Sequence, residues 1–136
     1  MTDTSTSHPS FEALELAASL TVKDLPASVA WYRDAVGFTV DREHAREGTL
    51  FAVSLRAGSV RLLLTRDDGS KGLDRTKGEG FSLQFTTAQD IDGLAARIVA
   101  AGTTLATPPA DGFGARVFRV RDPDGFLLVF SSPRTG

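Results

Sequence analysis

The sequence predicts an α+β fold of two βαβββ modules, whose strands form a curved, eight-stranded mixed sheet with the shape of a cup. Three observations predict this fold. A strand-like run, a helix and three further strand-like runs follow one another in the first half of the chain. The same order returns 66 positions later, counted from Asp24 to Asp90. A polar, glycine-bearing connection, residues 66–79, separates module one (12–65) from module two (80–132).

The strands are predicted from runs in which apolar residues alternate or cluster between turn residues. In EALELAASLTV, residues 12–22, every second residue from Leu14 to Val22 is apolar, so this strand has one apolar face. A tight turn at 57–59 joins two later strands. The other predicted strands are 38–43, 50–56 and 60–65 in module one and 81–87, 103–107, 116–121 and 126–131 in module two.

Each module contains one predicted helix that begins after an aspartate and ends at a glycine. Asp24 and Asp90 suit the N-caps, and Pro26 suits the first turn of the first helix. Gly37 and Gly102 stand where glycine ends helices. The apolar stripes are Leu25, Val29, Tyr32 and Val36 in the first helix and Ile91, Leu94 and Ile98 in the second.

The two faces of each predicted sheet have different roles. One face lies under the helix of its module, and the opposite faces of the two modules form the inside of the cup. Concave apolar surfaces are where small ligands bind, so the residues opposite the helix-facing stripe form the candidate site. The alternative is an α+β sandwich whose periodicity is a coincidence.

Composition excludes several classes of function. The 136 residues are 41% hydrophobic and 24% charged, which suits one folded domain. The net charge of −2, with both signs interspersed, argues against a nucleic-acid partner. The chain has no cysteine, which excludes disulfides, thiolate nucleophiles and cysteine-ligated zinc. No run reaches the roughly 20 apolar residues of a membrane span, so no membrane partner is expected.

The N-terminal residues 1–11 are predicted to be a flexible tail. MTDTSTSHPS is polar and lacks the apolar segment of a secretory signal. A cytoplasmic location is therefore the expectation.

Two segments carry a resemblance to a known family. LTVKDLPASVAWYRDAVGF, residues 20–38, is similar to the first motif of the vicinal oxygen chelate superfamily, and VRDPDGFLLVF, residues 120–130, resembles its last motif. This superfamily includes glyoxalase I, extradiol dioxygenases, fosfomycin-resistance enzymes and bleomycin-resistance binding proteins. The resemblance covers residues 14–131. It implies paired βαβββ modules that form a cup, usually closed by dimerisation, so a homodimer is expected.

The second of these segments contains a turn that sets the register of the last strand. Asp122, Pro123 and Gly125 suit a type I turn. Because a one-residue slip exchanges the two faces of a strand, this turn decides that Val129 looks into the cup.

Metal enzymes of this family hold a divalent ion with His and Glu side chains that point into the cup. Carried across by position, the resemblance places these ligands at Ala17, Leu63, Ser82 (or Phe81 after a one-residue slip) and Val129. Alanine, leucine and valine offer no lone pair, and a hydroxyl or a phenyl ring is a poor substitute for imidazole or carboxylate. A catalytic site needs about three protein ligands. We therefore expect no metal ion and no cofactor.

The remaining candidates for catalysis are two histidines and a glutamate. His8 lies in the tail, and His44 lies in DREHARE, which we interpret as a solvated, charged hairpin tip. Glu15 lies on the cup side of the first strand, where a carboxylate could act as a general base. The alternative for Glu15 is an exposed glutamate at a strand end.

Further side chains are predicted to line the cup. Arg61 faces inward by alternation, where it could hold an anionic group in a bidentate manner or reach out to water at the rim. Gln84 and Thr86 could hydrogen-bond a ligand, whereas Arg116 and Phe118 share a face whose direction alternation leaves open. The complete predicted set is Ala17, Phe51, Arg61, Leu63, Ser82, Gln84, Phe113, Arg116, Phe118 and Val129.

Two functions of different classes fit these residues. The first is a metal-independent protein that binds and sequesters a hydrophobic or aromatic small molecule, as bleomycin-resistance proteins do. The second is an enzyme (a lyase, isomerase or dioxygenase) with an unrecognised metal site or a metal-free site at Glu15 or Arg61. A third interpretation, a fold that serves a partner protein, has no apolar surface stretch in its favour.

Overall fold

The structure is a computed structural model that describes residues 9–72 and 75–133. Module one contains β1 (Ala17–Val22), α1 (Leu25–Ala30), which continues as the π-helical segment Trp31–Val36, β2 (Thr39–Arg46), β3 (Thr49–Ala57) and β4 (Val60–Arg66). Module two contains β5 (Ser82–Thr86), α2 (Ile91–Ala100), β6 (Thr107–Gly112), β7 (Ala115–Arg121) and β8 (Leu127–Pro133). Most of the predicted tail, including His8, lies outside the described residues.

Both modules have the same strand order, which confirms the predicted fold class. The eight strands form two four-stranded mixed sheets, ordered β1-β4-β3-β2 and β5-β8-β7-β6, that are not closed into a barrel. The pairs β1–β4 and β5–β8 are parallel, and the other neighbours are antiparallel. Parallel strands need a crossover connection, and the helix of each module lies within that crossover.

The sequence signals at the ends of the first helix act as predicted. Asp24 Oδ1 accepts a hydrogen bond of 3.1 Å from the Ala27 N–H, which satisfies one of the unpaired amides of the first turn. At the other end Gly37 has a φ of 110°, and its N–H donates to the Tyr32 carbonyl at 2.9 Å. Only glycine adopts this left-handed conformation without strain.

The first strand is shorter than the alternation predicts. It begins at Ala17, and Leu14 and Leu16 are exposed. The pairing between β1 and β4 begins with Ala17 opposite Arg61, and β4 itself begins at Val60. Residues before Ala17 therefore have almost no neighbouring strand to pair with, and their alternation alone does not make a strand.

The prediction of a strand at 103–107 is wrong. The strand of this region is β6, Thr107–Gly112, and it contains Pro108 and Pro109. Because proline lacks the N–H that a sheet ladder needs, two adjacent prolines do not predict a strand at this position. β6 tolerates both prolines because it is an edge strand whose register shifts between Thr107 and Ala110.

Aromatic rings join the two modules into one core. Phe38, which follows the first helix, meets Phe85 of β5 edge to face at a centroid distance of 6.0 Å. Phe85 stacks on Phe130 at 5.0 Å, and Phe130 stacks on Phe118 at 5.1 Å. Stacked and edge-to-face pairs add stability beyond the area that they bury. The helix-facing sides of both sheets therefore share one hydrophobic core.

Asp122 links the turn between β7 and β8 to the first helix. Its Oδ1 accepts hydrogen bonds of 2.9 Å from the N–H groups of Asp124 and Phe126, and the Gly125 N–H donates to its carbonyl at 2.9 Å. Its Oδ2 accepts a hydrogen bond of 2.7 Å from the buried Tyr32 hydroxyl. Burial raises the pKa of Asp122, while the Tyr32 hydrogen bond opposes that rise.

A buried lysine anchors the connection between the modules. Lys77 Nζ lies 2.8 Å from Asp67 Oδ2 and 3.4 Å from Asp124 Oδ2, and it donates to the Thr21 carbonyl at 2.9 Å. The hydrogen bond from Lys77 lowers the pKa of Asp67. Thr21 belongs to β1 and Asp124 to the β7–β8 turn, so this cluster ties the connection to both modules.

Candidate functional site

Strand pairing defines the inner surface of the cup, called the cup face below. Paired residues project from the same side of a sheet, and Leu20, Leu62 and Leu64 project into the core under the helices. Their neighbours in sequence project into the cup. In module one the cup-face rows are Ala17–Arg61–Arg56, Ser19–Leu63–Ser54 and Thr21–Thr65–Ala52. In module two they are Ser82–Leu127–Arg121, Gln84–Val129–Arg119 and Thr86–Ser131–Val117.

The four positions that the family resemblance assigns to metal ligands lie on the cup face at equivalent places in the two modules. Ala17 and Leu63 occupy adjacent rows of β1 and β4, and Ser82 and Val129 occupy adjacent rows of β5 and β8. The four side chains offer a single hydroxyl as donor, which does not fit a divalent metal ion. Within residues 9–72 and 75–133, no group of three or more His, Asp or Glu side chains could hold a metal ion.

Arg61 lies on the cup face and is engaged by two carboxylates. Its Nε lies 3.4 Å from Glu15 Oε1, and its Nη1 lies 3.7 Å from Asp41 Oδ2. Arg56 Nη2 approaches the same Asp41 oxygen at 3.7 Å. These side chains are partly exposed, so each ion pair contributes little stability. Glu15 is the partner of Arg61 and is 57% exposed, so it lacks the apolar surroundings that favour a general base.

His44 lies on β2, and its interpretation as a hairpin tip is wrong. β2 extends to Arg46, and the turn is made by Glu47 and Gly48, both of which have positive φ. The strand is not evident in the sequence because DREHAR has charged residues on both faces. Its pairing partner β3 supplies the hydrogen bonds that make it a strand.

His44, which the sequence interpretation placed outside the cup, and Ser54, which it did not consider, lie together on the cup face. His44 pairs with Ala52, and its Nε2 lies 3.2 Å from Ser54 Oγ. Ser54 belongs to the same row as Leu63. Phe51 lies beside them at the register shift of the β2–β3 ladder, with its ring centroid 6.2 Å from that of His44. The sequence signal for this placement is Gly48, because a hairpin turn at residues 47 and 48 pairs β2 with β3 and brings His44 opposite Ala52.

Arg116 and Phe118 lie on the helix face, so the prediction that they line the cup does not match their placement. Phe118 has no exposed surface and stacks on Phe130. Arg116 donates to Asp92 in the first turn of α2, with distances of 2.9 and 3.1 Å, and to Asp111 at 3.3 Å. Alternation shows which residues share a face, but not which way that face points.

Phe113 lies in the turn between β6 and β7 and is fully exposed. Its φ of 51° is unusual for a residue other than glycine, and Gly114 follows with a φ of 76°. A place for Phe113 at the mouth of the cup stays a prediction.

A cleft of about 780 Å³ lies where the connection passes beside the cup face of module two. Ser82, Leu127 and Arg121 line it from the cup face, and Arg75 and Phe81 line it from the connection. Phe81 is about half exposed. Its lining combines the apolar side chains of Phe81 and Leu127 with polar and charged groups of both signs, which include Lys77, Glu79 and Asp124. Its volume is within the range of small-molecule sites.

No helix in the described part of the chain is long and apolar enough to cross a membrane.

A family model described as Glyoxalase/Bleomycin resistance protein/Dioxygenase superfamily matches residues 14–130. No curated protein matches the sequence.

Solved structures of similar fold cover nearly the whole chain. A glyoxylase/bleomycin resistance protein/dioxygenase domain from Frankia sp. EAN1pec is 25% identical, with a TM-score of 0.77, and the match covers 93% of this chain and 96% of that one. TioX from Micromonospora sp. ML1 is 23% identical, with a TM-score of 0.73 and coverage of 89% and 99%. TnmS3, an antibiotic binding protein from Streptomyces sp. CB03234, is 20% identical, with a TM-score of 0.72 and coverage of 93% and 99%.

Proposed function

We propose that this chain, which belongs to the Glyoxalase/Bleomycin resistance protein/Dioxygenase superfamily, is a metal-independent protein. In this proposal it binds a small molecule in its cup and sequesters it. One observation carries the proposal. The cup-face positions that would hold a metal ion in the enzymes of the family are Ala17, Leu63, Ser82 and Val129, which are three hydrocarbon side chains and one hydroxyl. Such a set suits the aromatic or aliphatic part of a ligand and does not suit a divalent cation.

The solved structures of similar fold support this choice among the functions of the superfamily. TnmS3 is described as an antibiotic binding protein, and its fold matches this chain over almost its full length. At 20% identity this likeness concerns the fold. A resistance-like role, in which the protein removes a toxic small molecule from solution by binding it, follows as part of the proposal.

Binding would proceed without any covalent step. The apolar part of the ligand would pack against Leu63, Leu127 and Val129. The binding free energy would gain about 25 cal/mol for each Å² of apolar surface removed from water. The hydroxyl of Ser82 and the amide of Gln84 lie in neighbouring rows and would orient the ligand through hydrogen bonds. The protein would therefore act stoichiometrically.

A bulky side chain in the middle row of the module-one cup face is expected to block binding. Ser19 is exposed on the edge strand β1, in the row of Leu63, and we expect Ser19→Trp to weaken binding by about tenfold or more because the indole occupies the ligand's space. Thermal-shift screening of hydrophobic antibiotics and aromatic metabolites identifies ligands first, since a ligand at 100 times its Kd stabilises the fold by about 2.7 kcal/mol. Calorimetry then compares the variants.

The matched control is Ala27→Trp, which adds the same side chain at an exposed position of α1, away from the cup face. It should bind the ligands as the unaltered protein does. Ligands that bind Ser19→Trp with undiminished affinity, or a screen in which nothing binds, would contradict the proposal.

Divalent metal ions are expected to leave the thermal stability of the protein unchanged. A protein without a histidine tag, treated with chelator and then with Zn²⁺, Ni²⁺, Mn²⁺ or Fe²⁺, should keep the same Tm, because the cup face lacks a suitable donor set. Elemental analysis of the purified protein should find less than stoichiometric metal. Stoichiometric metal together with a raised Tm would overturn metal independence.

The alternative function is a metal-free enzyme, and the contact between His44 and Ser54 is the observation that favours it. An imidazole nitrogen 3.2 Å from a serine hydroxyl on a cup face has the spacing of a base and nucleophile pair. Chemical conversion of a bound ligand by the chelator-treated protein, detected by mass spectrometry, would support this alternative over sequestration.

A further inference from the structure

Charge is unevenly distributed between the cup face and the rest of the molecule. The whole chain carries 15 Lys and Arg against 17 Asp and Glu. Strand pairing nevertheless places five arginines on the cup face, namely Arg42, Arg56, Arg61, Arg119 and Arg121. The carboxylates that meet them among the described residues are Glu15 and Asp41. Among the described residues, these five arginines therefore outnumber the carboxylates that pair with them, in a chain whose net charge is −2.

The acidic groups of the cup are concentrated at one end of module one. Both carboxylates contact Arg61, and Asp41 also contacts Arg56. Within the ranges that the structure describes, Arg119 and Arg121 have no carboxylate partner, and Arg121 instead donates to the Gly125 carbonyl at 2.8 Å. Among the described residues no direct ion pair neutralises these two arginines, and Asp124, which lines the cleft with Arg121, is paired with Lys77.

The two arginines of β7 are neighbours on the cup face. They stand two residues apart on one strand, so their Cα atoms are about 7 Å apart on the same side of the sheet. Arg119 is paired with Val129, and Arg121 is paired with Leu127. Each arginine therefore lies beside an apolar residue of β8, and Arg121 also lines the cleft of about 780 Å³.

Two adjacent like charges repel each other, and an anion between them would relieve that repulsion. Guanidinium groups bind carboxylate, sulfonate and phosphate through paired hydrogen bonds, which are stronger than hydrogen bonds between neutral groups. Beside a bound apolar ligand the local dielectric constant falls, which strengthens the attraction further. The apolar residues beside the arginines would meanwhile contact the rest of the ligand.

We infer that Arg119 and Arg121 form an anion subsite in the cup, and that the ligand is an aromatic or aliphatic molecule that carries a carboxylate, sulfonate or phosphate group. This inference rests on the proposed function, because it names the chemical class of the molecule that the cup sequesters. It narrows the ligand from any hydrophobic molecule to one with an acidic group next to its apolar part.

Two fluorescent probes that differ in one acidic group test this inference. 1-Anilinonaphthalene-8-sulfonate carries a sulfonate, and N-phenyl-1-naphthylamine has the same aromatic system without it. The unaltered protein should bind the sulfonate about tenfold or more tightly than the neutral probe. High salt should weaken binding of the sulfonate and leave the neutral probe unaffected. Competition by 2-naphthoate and by 2-naphthyl phosphate then distinguishes a preference for carboxylate from one for phosphate.

Substitution of the two arginines locates the site. Arg119→Gln and Arg121→Gln should each weaken binding of the sulfonate by about tenfold and leave affinity for the neutral probe unchanged. Arg33→Gln is the control, because Arg33 is an exposed arginine of the helical segment whose partner is its neighbour Asp34. It should bind both probes as the unaltered protein does.

The outcomes separate the two proposals. Equal affinity for both probes, or sulfonate binding that is insensitive to both arginine substitutions, overturns the anion subsite and leaves small-molecule binding in the cup intact. Failure of the protein to bind either probe contradicts both proposals.

Discussion

Phe118→Ala is expected to lower the free energy of unfolding by about 3–5 kcal/mol, the largest effect of a single substitution that we predict. Phe118 has no exposed surface, and its ring continues the stack of Phe130 and Phe85 in the shared core. Truncation removes the buried ring and leaves a cavity that the paired strands β7 and β8 cannot close without moving. Urea unfolding followed by the fluorescence of Trp31 measures the change.

The matched control is Phe113→Ala, which removes the same group from a fully exposed turn. We expect a change within about 0.5 kcal/mol for this variant, because no buried contact is lost. The pair also tests the placement of the two rings. If Phe118→Ala retained full stability and lost only ligand binding, Phe118 would be a cup residue after all.

Asp122→Ala is expected to lower the free energy of unfolding by about 2–4 kcal/mol. The carboxylate accepts hydrogen bonds from two turn amides, those of Asp124 and Phe126, and from the Tyr32 hydroxyl. Without it the buried Tyr32 hydroxyl and the Phe126 amide lose their partner, and a buried unpaired donor costs more than the bond itself contributes. Chemical denaturation measures the loss.

Asp122→Asn separates the geometry of this residue from its charge. The amide oxygen can still accept from both turn amides, so we expect the variant to keep most of the stability that alanine loses. A loss as large for asparagine as for alanine would contradict the assignment of Oδ1 as the acceptor in the turn.

The raised pKa of Asp122 predicts how the stability difference between the unaltered protein and Asp122→Asn depends on pH. A carboxyl group whose pKa is higher in the folded state than in the unfolded state favours folding most strongly when it is protonated. Its contribution is complete below the unfolded pKa and declines as the pH rises through the folded pKa. The stability difference between the unaltered protein and Asp122→Asn should therefore narrow as the pH rises, because asparagine does not titrate.

Local sequence signals determined much of this fold. An aspartate N-cap and a glycine with positive φ bound the first helix, as Asp24 and Gly37 predict. The repeat of the βαβββ pattern determined two modules of the same strand order. The chemistry of Ala17, Leu63 and Val129 also follows from the sequence alone, because a hydrocarbon side chain has no lone pair to donate wherever it points.

Tertiary structure alone decided which way the strands face and where they end. β1 begins only where β4 can pair with it. β6 accepts two prolines only because no neighbouring strand needs an N–H donor at their positions. His44, expected at a hairpin tip, lies on the cup face, and Phe118, expected in the cup, lies in the core. Alternation along a strand repeats every two residues and is symmetric between its faces, so it cannot specify which face meets the helix. That choice depends on the partner strands and on the helix packed against them, which lie far away in the sequence.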